Sequence, residues 1–148
     1  RMKIQGSHTI AATAAEVFAA LTDPAVLQQS ISGCEKMEKT GEDEYNAHLK
    51  IGIAAVKGNY VGKVRLSEKE PPHKFTLQLE GKGGPGFQKG TARNELTPEA
   101  SATKLNYTAD VQVGGLIAAI GARGIDATAK KLAEEFFKKF CDIMRSRK

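Results

Sequence analysis

The stretch that decides the fold is residues 115–144, GLIAAIGARGIDATAKKLAEEFFKKFCDIM. It contains no proline, follows Gly114, and places Ile125, Ala129, Leu132, Phe136 and Phe140 at steps of three and four, the spacing of one helical face. This predicts a single long helix over 115–144 with an apolar stripe that must be buried against a second layer. Its two halves differ. Residues 118–129 are mostly Ala and Gly, whereas 132–144 supply Leu132, Phe136, Phe137, Phe140, Ile143 and Met144. Gly121 and Gly124 fall inside the expected helix, where each costs about 1 kcal/mol relative to Ala, so a geometric reason for them is expected.

Upstream, from 33 to 113, the apolar period changes to two. Tyr45, Ala47, Leu49, Ile51 and Ile53 share one face; so do Val56, Tyr60, Val64 and Leu66, then Phe75, Leu77 and Leu79, and finally Leu105, Tyr107, Ala109, Val111 and Val113. Gly41, Pro71-Pro72, Gly83-Gly84-Pro85 and Pro98 separate the runs at hairpin spacing, which is the pattern of an antiparallel meander with one wet face. Before them, residues 3–10 alternate around Ile4 and Ile10, with His8 on the apolar face. Thr13 and Glu16 have capping-box spacing and predict a helix over 14–21; Asp23-Pro24 predicts a second from 24 to 30. The order of strand, two short helices, run of strands and long helix is an α+β layer architecture, read as one domain over 2–144 with a basic end at 145–148. Arg1 precedes Met2, which points to Met2 as the native first residue.

The composition excludes several functions. The chain has 148 residues, enough for a core without disulfides or a structural metal, and Cys34 and Cys141 form no CxxC, so free buried thiols are expected. No apolar run reaches ten residues, which predicts no signal peptide or membrane-spanning helix and a cytoplasmic location. The net charge is +5, but Lys138, Lys139, Arg145, Arg147 and Lys148 against Asp142 place +4 of it in residues 138–148. Nucleic-acid modules spread cations over a face among stacking aromatics, so that function is not expected. A basic end can rest on an anionic membrane, or simply complement the negative end of the helix dipole.

The motifs are mostly bland. Gly81, Gly83 and Gly86 match GxGxxG, but Pro85 and the strand pattern that resumes after it point to a glycine-rich hairpin rather than a dinucleotide turn. His8, His48 and His73, read on separate strands, show no ligand spacing, and Cys34-Glu35 has no sequence-local base. What remains is the mismatch between a lightly built helix start and glycine-interrupted strands at Gly52, Gly58, Gly62 and Gly90. Either the helix approaches the sheet closely there, or an apolar hollow lies between them, and a hollow implies small-molecule binding.

Several strings together resemble the CoxG-like family of carbon monoxide dehydrogenase accessory proteins, within the START/SRPBCC superfamily. They are Ile31-Ser32-Gly33-Cys34-Glu35, residues 56–63 (VKGNYVGK), 81–90, Val113-Gly114-Gly115 and residues 128–134 (TAKKLAE), and the likeness runs from Met2 to about Phe140. Ser32 departs from the proline usual there. The resemblance implies a helix-grip fold, a curved seven-stranded antiparallel sheet wrapped on the C-terminal helix, with a pocket between. It also implies a non-catalytic accessory protein, with no covalently bound cofactor, that binds a quinone or other lipid-like molecule. Such a protein serves a molybdenum hydroxylase such as carbon monoxide dehydrogenase at the inner face of the cytoplasmic membrane. The expected pocket residues are Ile51, Ile53, Tyr60, Leu77, Leu79, Leu116, Ile120, Gly121 and Gly124, with Tyr60 hydrogen-bonding the ligand head and Phe87 as a gate. The alternatives are a cyclase or hydrolase acting through His8 on an aromatic or polyketide substrate, and a ligand-free assembly module.

Overall fold

The computed structural model describes residues 2–147. Strand β1 (Met2–Ile10) leads into α1 (Ala14–Leu21) and α2 (Pro24–Ser30). The caps act as the sequence suggests. Thr13 Oγ1 accepts from the Glu16 amide at 3.2 Å while Glu16 Oε1 accepts from the Thr13 amide at 3.1 Å, and Asp23 Oδ1 accepts from the Ala25 amide at 2.9 Å.

Six strands follow: β2 (Cys34–Gly41), β3 (Glu44–Ile51), β4 (Gly58–Glu70), β5 (Lys74–Gly83), β6 (Gly86–Glu99) and β7 (Ala102–Gly114). All seven form one antiparallel sheet in the order β1-β7-β6-β5-β4-β3-β2, so β1 closes onto the last strand while the rest make a meander. A long helix, α3 (Gly121–Ser146), runs across the sheet, giving the helix-grip arrangement.

Three sequence expectations change. Pro98 does not separate strands; it lies inside β6, paired with Thr103, and the turn comes at Ala100 and Ser101. The pairing of β5 with β6 ends at Lys74 and Glu95, so β6 has a free edge beyond that point, where a missing N–H costs no ladder bond. His73 sits in the turn between β4 and β5 rather than on a strand. The helix expected over 115–144 is two elements, a 3-10 segment Gly115–Ile120 and then α3. Gly121 joins them at φ +77°, a conformation that glycine adopts without the steric penalty of a Cβ, and it is therefore a hinge point and not an interior helical residue.

The core fills one end of the molecule. Phe140, Leu105, Ile10 and Val17 are fully buried, and Phe18 meets Phe75 edge-on with ring centroids 5.6 Å apart. The large side chains of the second half of α3, Phe137, Phe140 and Met144, enter this region. Cys34 and Cys141 are free thiols but half-buried, not fully buried as expected. Burial holds both above the ordinary thiol pKa, so they are protonated and weak nucleophiles.

Candidate ligand cavity

Toward the other end, the helix and the sheet diverge around a cavity of about 400 Å³. Period two decides the sheet wall: every second residue of β3, β4, β5 and β7 points at the helix, which brings Ile51, Tyr60, Leu79 and Val111 to the space. Period 3.6 decides the other wall, where Ile125, Ala129, Leu132 and Phe136 of α3 lie on one stripe.

Of the residues expected at the pocket, Ile51, Tyr60, Leu77, Leu79 and Ile120 line it. Ile53, Phe87, Leu116, Gly121 and Gly124 do not, each for a local reason. The chain leaves β3 at Ile51 and turns through the 3-10 segment Ala54–Val56, so the alternation stops before Ile53 and Val56 reaches the cavity instead. In the 3-10 segment Gly115–Ile120, three residues make a turn, so Ile117 and Ile120 share the inner face while Leu116 points outward, 75% exposed. Phe87 lies on the outer side of β6 with its ring over Gly114, where a Cβ would collide with it; it is a lid on a glycine, not a gate on the cavity. Gly121 is exposed at the hinge, and Gly124 presents its missing Cβ to Ile120 at 3.2 Å.

The polar groups around the space are few and mostly engaged. The Tyr60 hydroxyl, expected to bond a ligand head, donates its one proton to the Val56 carbonyl at 2.5 Å and so pins the 3-10 turn; burial raises its pKa. Gln88 Nε2 donates to the Leu79 carbonyl at 3.1 Å, and Thr128 Oγ1 to the Gly124 carbonyl at 2.7 Å. Ser32 Oγ donates to Glu135 Oε1 at 2.7 Å and accepts from Lys139 Nζ at 3.2 Å, tying the loop after α2 to α3. Asn94, 8% exposed, uses Nδ2 on the Ala92 carbonyl at 3.2 Å, which leaves its Oδ1 as an acceptor at the buried side of the cavity. Sequence reading missed Gln88, Ala92 and Asn94 because the inward face of β6 carries small and polar residues. Alternation was present at 88–94 but not in hydrophobicity.

His8 does not line the cavity. Its ring stacks on Phe137 with centroids 4.0 Å apart, and burial lowers its pKa against an opposing pull from Glu134. Tyr107 beside it is raised, chiefly by burial. The arrangement packs His8 among aromatic rings and leaves it neutral near pH 7.

The family model for the carbon monoxide dehydrogenase protein CoxG matches residues 6–143. No curated protein matches. Among solved structures, a conserved protein from Geobacillus kaustophilus is 40% identical, with a TM-score of 0.95 over 98% of this chain and 96% of that one. A START superfamily protein from Mycobacterium smegmatis shares the fold at 13% identity, with a TM-score of 0.76 over 99% of both chains.

Proposed function

The chain belongs to the CoxG family of carbon monoxide dehydrogenase proteins, and from that premise we propose that it is a non-catalytic accessory protein that holds a quinone or lipid-like molecule between sheet and helix. It serves a molybdenum hydroxylase, such as carbon monoxide dehydrogenase, in electron transfer to quinone or in recruitment to the membrane. The observation that carries this reading is the cavity of about 400 Å³ with an almost wholly apolar wall, a size and character typical of small-molecule sites. Each ligand methylene moved into it from water gains about 0.8 kcal/mol, which favours a prenyl chain or an aromatic ring over a polar metabolite. Asn94 Oδ1 and the Tyr60 oxygen are the atoms available to orient a ligand head.

The test is native mass spectrometry of the purified full chain with organic extraction, followed by titration with a ubiquinone and a menaquinone of short prenyl length. A retained or saturably bound quinone or lipid is expected at one per chain. A protein that neither carries nor takes up either class is not a carrier, and the assembly-module reading then replaces this one.

A further inference from the structure

Three segments meet at the end of the molecule where α3 begins: the 3-10 turn Ala54–Val56, the hairpin joining β5 and β6, and the 3-10 segment Gly115–Ile120. They are locked together. The Ile117 amide donates to the Pro85 carbonyl at 2.9 Å, a Cβ on Gly115 would lie 2.7 Å from Gly86 Cα, and one on Gly58 would lie 2.6 Å from Pro85 Cγ. Ile117 is buried and lines both the cavity and a shallow outer depression that Leu116, Ala55 and Pro85 border, so this tip is the outside of one cavity wall.

The tip is apolar where an exposed surface has no need to be. Residues 115–122, GLIAAIGA, contain no polar side chain, and Leu116, Ala118, Ala119 and Ala122 face solvent, with Phe87 46% exposed beside them. Its charge has one sign. Residues 52–59, 81–90 and 113–125 include Lys57, Lys82, Lys89 and Arg123 and no carboxylate. Lys89 pairs with Glu80, whereas Lys57, Lys82 and Arg123 make no ion pair among the described residues.

The opposite end differs. Arg145 pairs with Asp142, and Arg147 with Asp23 at 3.6 Å, so the basic end that the sequence offers for membrane contact is partly neutralised. At 1.5 Å per residue, the 26 residues of α3 put it about 39 Å from the tip.

We infer that this tip docks on an anionic lipid bilayer, with Leu116 entering the interface and Lys57, Lys82 and Arg123 meeting the headgroups. The proposal rests on the ligand-carrier reading only for its purpose: it stands the cavity against the source of a hydrophobic ligand. A solid apolar knob ringed by unpaired cations matches a surface that is oily below and negative above.

The experiment is flotation of the full chain with vesicles of phosphatidylcholine containing one-quarter phosphatidylglycerol, and with phosphatidylcholine alone. Binding is expected to the anionic vesicles and to weaken with salt. Replacing two cations in Lys82→Ser/Arg123→Ser should weaken partitioning about 25-fold, at about fivefold per charge. Leu116→Ser should weaken it about tenfold, whereas Arg145→Ser/Arg147→Ser at the far end should change it less than threefold. The chain has no tryptophan, so Leu116→Trp supplies a single indole that brominated lipid should quench, and Glu99→Trp at the far end should stay unquenched. Leu116 is exposed, so these substitutions leave folding intact, and quinone retention by each variant separates loss of docking from loss of the cavity. Wild-type protein that ignores anionic vesicles, tip variants that bind like wild type, or quenching at position 99 in place of 116 would each overturn the proposal.

Discussion

Ala109→Leu tests whether the space between helix and sheet is vacant. Ala109 sits on β7, opposite Ile4 on one side and Ala92 on the other, and its side chain lines the cavity. Leucine adds three carbon atoms. In a filled interior, insertion of this kind costs about 1–3 kcal/mol, which in a chain of this size lowers Tm by roughly 2–12 °C. In a vacant one, the added carbons meet apolar walls and Tm holds or rises. The same three carbons exclude about three ligand methylenes at about 0.8 kcal/mol each, so quinone affinity should fall by about 2.4 kcal/mol, or roughly 50-fold. Differential scanning calorimetry of the ligand-free variant and a quinone titration supply both readings. A large drop in Tm with unchanged quinone affinity would refute the reasoning, since it would mean a packed wall at Ala109 and a ligand held elsewhere.

Two further outcomes check the rest of the molecule. Phe140→Ala removes a fully buried ring from the packed end and should cost about 3–5 kcal/mol in urea unfolding, with quinone affinity in the remaining folded protein changed little, because Phe140 is not on the cavity wall. His8 has a folded-state pKa below its usual 6.5, so the unfolded chain takes up this proton at higher pH than the native one. Its contribution to stability is therefore full above about 6.5 and falls as the pH drops through that value, opposed only in part by Glu134. Urea midpoints at pH 5.5 and 7.5 should show a wild-type loss on acidification that is smaller in His8→Gln; an equal loss in both would remove His8 from the account.

Local patterning determined most of the architecture. The caps at Thr13 and Asp23, the alternation through 44–51, 58–70, 74–83 and 102–114, and the Ile125 to Phe140 stripe act between residues a few positions apart, so they are visible in one dimension and they recur as α1, α2, four strands and α3. Strands β2 and β6 carry the same geometry without the hydrophobic alternation, and Pro98 sits in β6 because β5 has already ended beside it. Neither fact exists before the strands are paired. The cavity wall divides in the same way. Ile51, Tyr60, Leu77 and Leu79 follow from period two alone, whereas Leu116 and Ile120 part company only because the chain winds as a 3-10 helix between Gly115, held close to Gly86, and Gly121 at positive φ. Tyr60 could be assigned to the cavity from its face, but its proton could not be assigned to Val56 until the turn closed over it. Spacing along the chain decides which face a side chain takes, and contacts between distant segments decide what that face meets.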